Sequence, residues 1–108
     1  MEEEFRNNLT IAVRSFSEYF SDICRLSKSR HGLNGPKRVE KEFQALRVAR
    51  QHYLDKPANP NANQQLLKAA NTEALQLAES IDQMNDINGM MKHVTTIVEI
   101  LSKLQSVD

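Results

Sequence analysis

A chain of 108 residues, 40% of them apolar and with charges that cancel to zero, is long enough to bury a core of its own without metals or disulfides. No apolar run approaches the roughly 18 residues of a membrane span, and the acidic start Met1-Glu2-Glu3-Glu4 is the reverse of a secretory leader. Cys24 is the only cysteine, so an intrachain disulfide is excluded and the expected setting is reducing and cytoplasmic.

The first helix is expected over about residues 3–29. Phe5, Leu9, Ala12, Phe16, Tyr19, Ile23 and Leu26 alternate steps of four and three, the seam spacing of packed helices. Val13 and Phe20 widen that seam to an arc of about 160° on the helical wheel, enough to face two neighbours. Arg30-His31-Gly32-Leu33-Asn34-Gly35-Pro36 reads as a connection, with Pro36 at the first position of the next helix. That second helix, about 36–55, carries Val39, Phe43, Leu46, Ala49, Tyr53 and Leu54 on its apolar face. The prolines and asparagines of 57–61 break the pattern, and Asn59 before Pro60 reads as a helix cap.

A third helix, about 60–85, presents Leu67, Ala70, Ala74, Leu77, Ala78, Ile81 and Met84, its alanines admitting a close neighbour. The fourth, about 87–106, presents Ile87, Met91, Val94, Ile97, Val98, Leu101 and Leu104. No proline separates the last two, so one long rod in an intertwined dimer is the alternative. The phase opposes it: carried through, the second apolar stripe would point about 120° from the first. Asn85, Asp86, Asn88 and Gly89 are also turn formers. The expected architecture is all-α, an up-down-up-down antiparallel four-helix bundle in which residues 1–108 form a single domain.

Charge is unevenly spread. Residues 1–24 carry five acids against Arg6 and Arg14, residues 25–56 carry nine cations against three acids, and residues 57–108 carry six acids against three cations. A basic helix lying between acidic ones explains this internally; a polyanion surface explains it functionally. Gly32 to Arg38 places flexible backbone and two cations at a helix start, where free N–H groups favour anions. The candidate patch for an anion or nucleic acid is Arg25, Lys28, Arg30, His31, Lys37, Arg38 and Lys41. Only Tyr53 offers nearby aromatic stacking, which disfavours single-strand base recognition.

Signatures of chemistry are absent from the sequence: no phosphate-binding Gly-Lys-Ser/Thr loop, no Cys-x-x-Cys, no His-Glu-x-x-His. A di-iron bundle needs Glu three residues before His, and here those positions hold Lys28, Ala49 and Met90. No cofactor, metal or catalytic residue is expected. Arg47-Val48-Ala49-Arg50-Gln51-His52 places an arginine, four residues and a histidine at a spacing that resembles the motif of HEPN-type ribonucleases, also small helical bundles. The resemblance covers six residues, and on the wheel Arg47 and His52 point about 140° apart.

Arg50 falls in the middle of an apolar face. It can snorkel past the bundle end, pair with a carboxylate, or contact a ligand or partner. Met84, Met90 and Met91 fit a gap-filling core better than an adaptable surface. Ile11, Val48 and Ile100 fall off their helices' apolar faces and, with Arg50, are the candidate partner contacts. The leading functional expectation is a non-enzymatic protein–protein interaction module, its partner another protein or a second copy in a homodimer, with no membrane role. A nucleic-acid or polyanion binder using residues 25–56 is the second expectation, and a HEPN-like ribonuclease the third.

Overall fold

A computed structural model describes residues 2–56 and 63–105. The described residues form five helices and no strand: α1 (Glu2–Glu18), α2 (Phe20–His31), α3 (Asn34–Asp55), α4 (Gln64–Gln83) and α5 (Ile87–Gln105). The expected cap at Asn59 and the start of the third helix at Pro60 lie outside the described residues. So does the breaker at 57–61, and the expected end of the last helix at 106.

The first expected helix is two helices. Tyr19 leaves the helical region at φ −101°, ψ 19°, although its N–H still bonds Ser15 O at 3.0 Å and its carbonyl accepts Ile23 N at 2.9 Å. The break is therefore a one-residue bend. Phe16 and Phe20, one helical turn apart across it, both reach Phe43 of α3, with ring centroids 4.4 Å and 5.6 Å away. Phe16 stacks nearly parallel on Phe43, while Tyr19 at the corner stays 40% exposed.

The next connection is shorter than the sequence suggests. The α2 helix continues to His31 and closes on Gly32, whose φ of 72° needs a residue without Cβ and whose N–H bonds Lys28 O. Helix α3 starts two residues later, so Pro36 lies in its first turn, where a missing N–H leaves no bond unmade. Between α4 and α5 the chain turns at Met84, a left-handed residue at φ 49° whose N–H bonds Ser80 O at 3.0 Å. The Asp86 carboxylate then accepts Gly89 N at 2.9 Å and starts α5. There is no continuous rod.

The packing follows from the bend. Helix α1 lies on α4 and α2 on α3, while α5 packs against both α3 and α4. Helices α3 and α4 hardly touch, although they follow one another in sequence. Side-chain pairs give the directions. Tyr53 near the end of α3 meets Phe5 near the start of α1, so those two run oppositely. Asn8 bonds Asn71 at 2.7 Å, and further along Tyr19 and Leu26 stand near Ile81, so α1–α2 and α4 run the same way. Glu42 meets Thr95 and Lys56 meets Gln105, so α3 and α5 are also parallel.

One apolar cluster joins all five helices. Ala70 and Ala74 on α4 are fully buried and admit α1 closely, with Asn8–Asn71 as a polar lock on the register. Met90 and Met91 are core, and Met84 is half-buried. Ile100, expected as a surface contact, is instead 7% exposed. Helix α5 touches two long neighbours, so its buried arc is wider than a single seam and takes in Ile100 beside Ile97 and Leu101.

At one end of the molecule Tyr53 is fully buried, its ring edge-on to Phe5 and its hydroxyl donating to Glu2 Oε1 at 3.2 Å. Burial first, and the Glu2 carboxylate second, push the phenol above its ordinary range. The neutral phenol is the folded form, so its contribution is complete below the unfolded pKa of about 10 and is lost as the pH climbs beyond it. Denaturant midpoints should therefore fall above about pH 10, and Tyr53→Phe should flatten that fall. An identical slope in the variant would assign the loss to other groups.

Candidate functional site

Several clefts run along the described surface between neighbouring helices. The first exists because α2 leaves α4 at the Tyr19 bend. Tyr19, Leu26, Ile81 and Met84 make its apolar walls, Asp22, Arg25 and Asp82 its rim, and it encloses about 580 Å³. Arg25 is paired with Asp22 at 3.3 Å, both side chains well exposed. Two further exposed apolar residues lie on the same pair of rods, α1–α2 and α4. Ile11 is three residues past Asn8 and Leu75 four past Asn71, so on parallel helices both flank the α1–α4 seam one turn beyond the asparagine bond. They are 51% and 50% exposed.

The second cleft, about 680 Å³, lies between α3 and α5 on the opposite side. Val48, Ala49 and Val98 form its floor, with Lys37, Lys41, Glu40 and His52 around it. The third separates α1 from α3, which touch little because α1 leans onto α4. Arg14, Arg47 and Arg50 line it together with Thr10, Ser17 and Glu18, above Val13 and Phe43.

The seven candidate basic residues do not form one patch. Arg25 belongs to the first cleft, and Lys37 and Lys41 to the second, across the molecule. Lys28, Arg30 and Arg38 are exposed near the α2–α3 turn. His31 is committed to Asn88 Oδ1 at 3.1 Å, tying that turn to the start of α5. Of the candidate partner contacts, Ile11 and Val48 are exposed but lie on different faces, and Ile100 is in the core. Arg47 and His52 open into different clefts, so the pair needed for ribonuclease-like joint action does not converge.

Arg50 neither snorkels past the bundle end nor finds a carboxylate. Its Nη2 donates to Thr10 Oγ1 at 3.1 Å, while Nε is buried with no partner. Cys24 is half-buried, and burial, reinforced by Glu40, raises its thiol above the ordinary range, the opposite of an activated nucleophile. His93 meets Glu73 at 2.6 Å in a bond that ties α5 to α4. Among the described residues no group of His, Cys, Asp or Glu could hold a metal ion, and no helix is long and apolar enough to cross a membrane.

Sequence reasoning passed over Tyr19, Leu75 and Arg14. Leu75 was detectable: it falls off the Leu67–Ala70–Ala74–Leu77–Ile81 face as Ile11 falls off its own. The seam spacing predicts Tyr19 as core, whereas at the break it stands 40% exposed. No protein-family model matches the sequence, and comparison with curated proteins and with solved structures finds no match.

Proposed function

We propose that this chain is a non-enzymatic interaction module that buries the α1–α2–α4 face against a second copy of itself. In this reading α1 and α2 act as one bent rod of an up-down-up-down four-rod bundle, and the bend makes the receptive surface. The observation that supports it is the coincidence of exposed Ile11, Leu75 and Tyr19 with the Leu26–Ile81–Met84 cleft along one face. From Ile11 to Leu26 the apolar line covers about 22 Å, four turns of helix. Isolated exposed hydrophobes are ordinary, whereas a line of them beside an apolar groove is the mark of a partner surface. A two-fold axis would lay the Ile11–Leu75 ridge of each copy toward the cleft of the other. The polyanion reading of residues 25–56 has weaker support, because its cations are divided between faces.

Light scattering across protein concentration is the test. The expected result is a dimer that persists in high salt, as an apolar contact requires, and that Ile11→Asp with Leu75→Asp converts to monomer without loss of helix content. A monomer at every concentration up to the millimolar range refutes self-association through this face.

A further inference from the structure

The cleft between α1 and α3 holds three arginines that make no ion pair among the described residues, with Glu18 in the same lining and Glu3 beside Arg50 in the adjoining cleft. Arg14 comes from α1, and Arg47 and Arg50, three residues apart, come from α3. Among the described residues none of the three has a carboxylate within ion-pair distance; the ion pairs are Arg6–Glu2, Arg25–Asp22 and His93–Glu73. Glu18 stands at the rim yet pairs with none of them. Arg47 is held over the Phe43 ring, its guanidinium carbon 5.7 Å from the centroid. Arg50 is held by one bond to Thr10, whose own hydroxyl donates to Arg6 O at 2.9 Å and so has only lone pairs to offer the arginine. Of the five N–H groups of Arg50, that bond uses one, and the buried Nε has no acceptor.

A guanidinium fixed in a half-buried position with an unpaired N–H is costly, and two further guanidinia facing the same space add repulsion. The repulsion is relieved by the arrival of an anion, which the Nη groups of Arg50 can meet while its Nε stays closed to solvent. Forked donors from two helices fit a tetrahedral oxyanion, to which arginine binds through two parallel bonds. Phe43 and Val13 beneath them offer an apolar floor to whatever the anion carries.

We infer that the α1–α3 cleft is a binding site for a phosphate or phosphomonoester dianion, clamped by Arg14, Arg47 and Arg50. This site opens between α1 and α3 rather than between the first rod and α4, and its anion binding does not rest on the self-association proposed above.

The test is an amide and arginine-side-chain NMR titration at constant ionic strength, with inorganic phosphate, phenyl phosphate and acetate as separate titrants. Phosphate should saturate in the millimolar range or below, moving the Arg50 Nε–H and the amides around Thr10, Ser17 and Arg47. Arg14→Gln with Arg47→Gln, both exposed positions, should weaken it about tenfold or more, whereas Lys37→Gln with Lys41→Gln in the opposite cleft should not. Tighter binding of phenyl phosphate identifies an organic phosphomonoester resting on Phe43; equal binding identifies free phosphate. Acetate producing the same shifts overturns the inference. So does phosphate that leaves the cleft unmoved while a short RNA strand shifts Arg25 and Lys28, which would return the polyanion role to the opposite end of the sequence segment.

Discussion

Phe16→Ala should lower stability by about 3–5 kcal/mol, a large share of the roughly 5–15 kcal/mol that holds a domain of this size together. Phe16 is fully buried at the corner where the first rod bends. Its ring stacks on Phe43 at an interplanar angle of 12° and touches Phe20 at 6.3 Å, so it joins α1, α2 and α3. Truncation removes apolar burial, loses an aromatic pair and leaves a void that helices on three sides cannot close together. A urea titration should show the midpoint falling with an unchanged slope, the sign of lost stability in an intact fold. Leu33→Ala, at a position 75% exposed, should change stability by less than about 0.5 kcal/mol. A Phe16 variant as stable as the Leu33 variant would contradict the packing at the bend.

Gly35→Ala should cost about 1–3 kcal/mol although it adds one methyl group to a helix, where alanine is ordinarily the better residue. Gly35 is buried in the first turn of α3, and a Cβ there would lie 2.5 Å from both Ser27 O and Ser27 Oγ of α2. The carbonyl is backbone, so relief requires the two helices to separate and to loosen Val39 and Ile23 behind them. Ser27→Gly should therefore fail to rescue the alanine variant, since it removes the hydroxyl and leaves the carbonyl in place. Full rescue by Ser27→Gly would show that the contact is side chain alone. Thermal unfolding of the two single variants and the double variant decides between these outcomes.

The long apolar stripes were legible from spacing alone. Helices α3, α4 and α5 bury most of the residues their periodicity selects, leaving Ala49, Leu54, Ala78, Met84 and Val98 half-buried, and turn formers at Asn85–Asp86 separate the last two as the phase requires. The break at Tyr19 was not legible, because the four–three alternation passes through it unchanged and neither glycine nor proline marks it. The change of partner, with α1 on α4 and α2 on α3, is a property of the tertiary packing that no local residue announces. The first cleft and the arginine cleft both depend on it. A straight first helix would lie along both neighbours, with no groove at Leu26 and no gap for Arg14, Arg47 and Arg50. Arg50 stood out in the sequence as a charge on an apolar face, but its two companions were unremarkable surface arginines until α1 leaned away from α3. Ile100 was misassigned for a simpler reason, that a helix between two partners buries more of its circumference than one stripe implies.

The near absence of contact between α3 and α4 bears on how the chain reaches this shape. Pairing α2 with α3 closes a loop of two residues, and pairing α4 with α5 closes one of three, so both hairpins form at small entropic cost. Helix α1 finds α4 only across a separation of 63 residues, as Asn8 and Asn71 mark it. The topology therefore predicts two quick local pairs whose mutual docking, along the α1–α4 and α3–α5 seams, is the slow and committing event.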